Sequence, residues 1–210
     1  MSISNLSTRL ISSIAYALLF IYVIIHQNPY LLYIFTAVLC VGSIRELMQF
    51  KKMPSRKIMH VILSLYVIIS LTTIIIIKSM EYGEVLLLIL ISQVWASDLG
   101  GYLIGSFGRY HFSKISPKKT YEGLIGSLVF CLLTLLITRN LIASYLEIDM
   151  LKITLLICAS SIIGDLIMSK VKRLNHKKHS GLFLPGHGGF IDRLDSLFFA
   201  APAYYLNMCI

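Results

Sequence analysis

The sequence predicts an all-α, polytopic membrane protein with about seven transmembrane helices and a cytoplasmic N-terminus. Three observations predict it. Hydrophobic residues make up 57% of the 210, with a mean hydropathy of +0.79. Charged residues are only 14%, against roughly 25% in a soluble domain. The apolar residues also come in long unbroken runs rather than at amphipathic spacing, and about 17–25 of them cross the hydrocarbon core as a helix.

The spans follow in order. The first, 9–26, contains "LISSIAYALLFIYVII". Its apolar part is too long for a signal peptide, a single Arg9 precedes it and no small-residue cleavage site follows, so it reads as a retained span. The second, 30–50, carries the adjacent Arg45 and Glu46; the third, 58–77, holds "VILSLYVIISLTTIIII". The fourth, 84–105, ends in "WASDLGGYLIG", and the fifth, 122–139, begins at Glu122. The sixth, 150–170, runs into "GDLIMSKVKR", and the seventh, 191–210, is opened by Asp192, Arg193 and Asp195. No repeat, low-complexity tract or long linker interrupts the chain, so residues 1–210 read as a single helical membrane domain. Its four cysteines, Cys40, Cys131, Cys158 and Cys209, have no metal or redox spacing and read as packing residues.

Charge orients the spans. With the N-terminus inside, the outer side keeps only Lys78, Arg139 and Lys152 of the 19 Lys and Arg, as the positive-inside rule requires. The net charge of +9 is therefore mostly a topology signal. It suits anionic lipids or phosphorylated substrates at the headgroup level and calls for no nucleic acid.

Charges inside spans cost roughly 2.5–3.5 kcal/mol each on insertion scales and usually mark function. Asp98, Asp165, Asp192 and Asp195 lie on three spans, all close to the inner end. Carboxylates clustered without imidazole or thiolate suit a hard cation such as Mg2+, which takes one or two of them and fills its shell with water and phosphate oxygens. Asp192 and Asp195, three apart, share a helix face, and Arg193 points away from Asp192, free to meet a phosphate. Gly186, Gly188 and Gly189 let the backbone turn and approach a ligand, leading into a helix N-terminus that favours an anion. Cations come from two inner loops, one with Lys114, Lys118 and Lys119 around the turn Ser116-Pro117, the other with Lys172, Arg173, Lys177 and Lys178. His187 is a further phosphate-binding candidate.

Together these residues resemble the integral-membrane phosphatidate cytidylyltransferases (CDP-diacylglycerol synthases). That family's signature reads S-x-x-K-R, four residues, K-D, then a short loop and P-x-H-G-G-x-x-D-R-x-D. Ser169, Lys172, Arg173, Lys178, Pro185, His187, Gly188, Gly189, Asp192, Arg193 and Asp195 stand in the same order and spacing. "SDLGGYLIGSFGRYHFSKISPKKTYEGLIGS" (97–127) and "GDLIMSKVKR" (164–173) are similar to two further family segments. The resemblance covers 97–200 well, the expected catalytic part. Met168 and His179 stand where the family has Glu and Asp.

The resemblance implies transfer of CMP from CTP to phosphatidic acid, giving CDP-diacylglycerol and pyrophosphate. The charge asymmetry puts the site on the cytoplasmic side, and so short and compact a chain points to a bacterial inner membrane. The resemblance also implies Mg2+, with or without a second cation, on Asp165 and Asp192, with Asp195, Arg193 and Lys172 beside them. Asp98, Ser116, Lys118, Lys119, Arg173, Gly186, His187, Gly188 and Gly189 are the implied substrate-binding residues. The expected partners are CTP, phosphatidic acid and membrane lipids, with a homodimer left open. Three alternatives are a transferase for another lipid acceptor, a silent relative acting as partner subunit, motivated by Met168 and His179, and a transporter. A transporter would spread its carboxylates across the membrane depth.

Overall fold

The computed structural model describes residues 3–52, 55–111, 119–142, 149–177, 179–181 and 188–209. Among them the chain forms seven helices and no strand: α1 (Ile3–Ile25), α2 (Pro29–Met48), α3 (Arg56–Lys78), α4 (Gly83–Gly105), α5 (Tyr121–Ile142), α6 (Met150–Leu174) and α7 (Ile191–Met208). Each coincides with an expected span, within a turn or two at its ends. At the end of α6 the helix continues past the apolar run through Lys172 and Arg173. Hydropathy marks the lipid-soluble part of a helix, whereas backbone hydrogen bonds carry the helix on into the interface.

Five helices, α2 to α6, are long and apolar enough to cross a membrane, which makes this a multi-pass membrane protein. The described apolar part of α1 is Ser12–Ile25. α7 differs in kind. It carries Asp192, Arg193 and Asp195 in its first turns and Pro202 within it, yet nine of its 18 residues are buried. It packs against α6, α3 and α4, so neighbouring helices and not lipid surround its polar end. The main core joins Val23 and Ile24 of α1, Leu39 and Leu47 of α2, Val67 and Ile74 of α3, Leu87 and Leu90 of α4, Ile157 and Met168 of α6, and Phe198 and Tyr204 of α7. Outward, large aliphatics such as Ile34, Ile62, Ile69, Leu136 and Ile137 stay exposed, as lipid contact allows and water does not.

Local chemistry fixes the ends. Asn28 accepts a hydrogen bond from Tyr30 N at 3.0 Å ahead of Pro29, and Asp149 accepts from Lys152 N at 3.1 Å. Lys78 pairs with Glu84 at 2.7 Å and donates to the carbonyl of Ile24, tying three helix ends together.

α4 and α5 make the closest helix pair. A Cβ at Gly100 would run into the carbonyl of Gly126, so the two backbones touch as only small residues permit. Ser127 Oγ donates to Ser97 O across the same seam at 2.7 Å. Where α4 ends and α5 begins, Tyr121 N donates to Tyr110 O at 2.9 Å, and His111 bridges Thr120, so the connection between α4 and α5 leaves and returns at one point. Lys119 stands at that point, facing α6.

Candidate functional site

The C-terminal ends of α4 and α6, the N-terminal end of α7 and the start of α5 enclose a cavity of about 490 Å³, within the usual size range of ligand pockets. Asp98, Asp165, Asp192 and Asp195 line it, and so do Lys119, Lys172, Arg173 and Arg193. Four carboxylates and four cations therefore face one space. Asp98 comes from α4, Asp165, Lys172 and Arg173 from α6, and Asp192, Arg193 and Asp195 from α7.

The charges are paired in a definite order. Lys172 Nζ reaches Asp192 Oδ1 at 2.8 Å and Asp195 Oδ2 at 3.1 Å. The three-residue spacing of the two aspartates puts both on the α7 face that meets α6. The side chains of Lys172 and Asp192 are under a tenth exposed; removing either partner of such a pair strands a buried charge. Lys119 Nζ meets Asp165 Oδ2 at 2.5 Å, while Ser169, one turn further along α6, donates to Asp165 Oδ1 at 3.1 Å. Ser196 Oγ donates to Asp98 Oδ1 at 2.8 Å, linking α7 to α4.

Asp192 also holds backbone. Its Oδ2 accepts from Ser180 N at 2.8 Å and Gly189 N at 3.1 Å, and His179 Nδ1 lies 3.7 Å away. Gly188 adopts φ +98° in this turn, a left-handed conformation that glycine takes without strain. The glycine turn thus wraps the aspartate that opens the next helix.

Glu46 completes the arrangement from α2, and sequence reasoning gave it no role. It is 6% exposed, with Oε1 accepting from Phe190 N at 2.8 Å and Oε2 from Ile191 N at 3.1 Å and Ser180 Oγ at 2.7 Å. Those N–H groups belong to the start of α7, which lacks a side-chain cap of its own. Gly181 and Gly189 are glycines for a related reason, since a Cβ at either would collide with the Glu46 carboxylate. The signal available in the sequence was a carboxylate inside a span; its partners lie 134 to 145 residues away. Ser180 and Ser196 were also missed, as hydroxyls carry no pattern of their own.

Of the sequence candidates, Asp98, Lys119, Asp165, Lys172, Arg173, Asp192, Arg193 and Asp195 share the cavity wall, and Gly188 and Gly189 form the turn beside it. Ser116, Lys118, Gly186 and His187 lie outside the described residues. Of the two departures from the family pattern, Met168 is 1% exposed in the main core, whereas His179 faces the cavity beside Asp192.

The donor set fits a hard cation. It offers carboxylate oxygens, with cationic groups around them for phosphate, as Mg2+ sites with substrate phosphates require. Among the described residues no three His, Cys, Asp or Glu side chains gather closely enough to hold an ion alone. An ion here would complete its shell with water and substrate oxygens.

Residues 52–210 match the family model described as the cytidylyltransferase family. The chain is 41% identical to a phosphatidate cytidylyltransferase of Synechocystis over 125 residues, which is 59% of this chain and 43% of that protein. It is 37% identical to the Bacillus subtilis phosphatidate cytidylyltransferase over 62% of this chain and 49% of the other. These alignments span about half the length of the curated relatives. Similarity to the phosphatidate cytidylyltransferase of Rickettsia bellii extends further, at 30% identity over 97% of this chain and 91% of that protein.

Proposed function

The chain belongs to the cytidylyltransferase family, and from that premise we propose that it transfers CMP from CTP to phosphatidic acid, forming CDP-diacylglycerol and releasing pyrophosphate. One observation carries the reading: four carboxylates and four cations line a single cavity at the inner ends of three helices. A transporter would distribute such groups along its path.

In the proposed reaction an oxygen of the lipid phosphate attacks the α-phosphorus of CTP. The bond from that phosphorus to the oxygen bridging the β-phosphate breaks, and pyrophosphate leaves with the electron pair. The nucleophile is already an anion near neutral pH, so catalysis consists of positioning and charge neutralisation. Arg173, Arg193, Lys119 and Lys172 bind phosphate oxygens of the two substrates. The turn at 188–189 lets backbone approach the triphosphate with no side chain in the way, whereas the N–H groups that open α7 are already taken by Glu46 and Asp192. Asp165 and Asp192 would hold Mg2+, with Asp195 and Asp98 beside them. The ion, when bound, screens the phosphates and stabilises the charge on the leaving pyrophosphate.

The site faces the cytoplasm, where CTP is dissolved, from a bacterial inner membrane whose inner leaflet supplies the lipid. The asymmetry of Lys and Arg supports this orientation. The test is incubation of the purified protein with labelled CTP and a panel of single lipids. Label passing into a chloroform-soluble product with phosphatidic acid, and not with diacylglycerol or dolichol-type alcohols, is the expected outcome. Preferential labelling of another acceptor would replace phosphatidic acid in the reading.

A further inference from the structure

A second and larger hollow lies on the far side of the glycine turn from the carboxylates. It is a groove of about 1030 Å³ along the outer face of α2. Ile34, Val38, Val41 and Arg45 follow one another at helical spacing along it, three aliphatic side chains leading to a guanidinium. Gly42 lines it too, where a Cβ would stand 2.5 Å from the Phe190 ring, so that ring packs directly against the α2 backbone. At the inner end Lys177 joins Arg45, its ammonium 5.3 Å from the centre of the Phe50 ring. The single carboxylate in the lining, Glu46, is occupied by the N–H groups of α7 and the hydroxyl of Ser180.

His179 lines both this groove and the carboxylate cavity. The two spaces therefore meet at one side chain, 3.7 Å from Asp192. An apolar trough open to the hydrocarbon, with two cations at its inner end and a reactive site next door, matches one ligand chemistry. That ligand has acyl chains and an anionic phosphomonoester head.

We propose that this groove is the acceptor-lipid subsite: the acyl chains lie along Ile34, Val38 and Val41, and Arg45 and Lys177 take the phosphate, which reaches the carboxylate cavity past His179. The assignment rests on the transferase reading for its catalytic consequence and on charge and shape complementarity for the binding itself.

Two measurements on the full chain test it. In turnover assays in mixed micelles, the double substitution Arg45→Gln, Lys177→Gln raises the apparent KM for phosphatidic acid about tenfold, as expected for lost charge-assisted contacts. The KM for CTP stays unchanged. An unaltered lipid KM, or equal changes in both constants, would overturn the proposal. Binding is read independently of turnover. The chain has one tryptophan, Trp95, so Trp95→Phe with Val41→Trp places a single fluorophore in the groove. Brominated phosphatidic acid quenches it more strongly than brominated phosphatidylcholine, and Arg45→Gln, Lys177→Gln abolishes the difference. Equal quenching by the two lipids overturns the proposal, and so does shielding from both, which a second copy of the chain seated on α2 would cause. If quenching is selective but no CDP-lipid forms, the groove stands and the transferase reading fails.

Discussion

At the scale of single residues, Glu46 and Asp192 both hold backbone, a role the sequence assigned to neither. Glu46 accepts three hydrogen bonds while nearly fully buried, and unsatisfied buried donors cost about 1–3 kcal/mol each. Glu46→Ala should therefore lower the thermal stability of the detergent-solubilised protein markedly. Glu46→Gln, which keeps one acceptor oxygen, should lower it less; equal midpoints for wild type and Glu46→Ala would show the contacts to be idle. Asp192 serves Lys172, Ser180 N and Gly189 N at once, so its replacement disturbs fold and chemistry together. Asp165 separates the two better, because among the described residues its partners are the side chains of Lys119 and Ser169 and no backbone group. Asp165→Asn should leave the melting temperature within a few degrees of wild type and reduce kcat by about two orders of magnitude or more, the order seen when a transition-state charge partner is lost. Retained turnover with unchanged Mg2+ dependence would remove Asp165 from the metal site.

Among the elements, the α4–α5 seam is the joint on which the site's geometry depends. It sets where Lys119 stands relative to Asp165 on α6, because the base of the α4–α5 connection is fixed by Tyr110, His111, Thr120 and Tyr121. Gly100→Ala places a methyl group against backbone at Gly126, not against a side chain that could rotate away. The helices must then separate, and the variant should melt lower and turn over more slowly; an unchanged rate would mean that the seam does not position the site. The helices themselves were legible in the sequence, since long apolar runs bounded by charge have few other folds available to them. Legibility stopped at partners. Lys119 and Lys172 read as phosphate ligands because loop and helix-end cations beside glycines suggest anions, yet they pair with Asp165, Asp192 and Asp195. Packing of α6 on α7 creates the Lys172 pairs, and packing of the α4–α5 connection against α6 creates the Lys119 pair. The Glu46 cap is of the same kind, made by helices far apart in the chain. α7 is the reverse case. Its charges weaken it as a lipid-facing span, and burial among α3, α4 and α6 explains how they are accommodated.

Over the whole molecule, two hollows share one polar end. One is mostly apolar and runs along exposed aliphatic side chains of α2, the other is lined by charges of both signs, and His179 borders both. Such a body suits a reaction between one substrate dissolved in water and another dissolved in the membrane, because neither has to leave its own phase completely. That the four carboxylates lie at similar depth on three spans was legible in the sequence; which of the described cations face them across one cavity is a property of the assembled helices. The central claim is that this assembly joins CTP to a lipid phosphate. Its most direct test is pyrophosphate release from CTP by the purified protein in detergent, with phosphatidic acid present or absent and with Mg2+ present or chelated. The account predicts release only when lipid and metal are both present, with a CDP-lipid formed in equal amount. A well-folded sample that released no pyrophosphate under any of the four conditions, or released it without lipid, would contradict it.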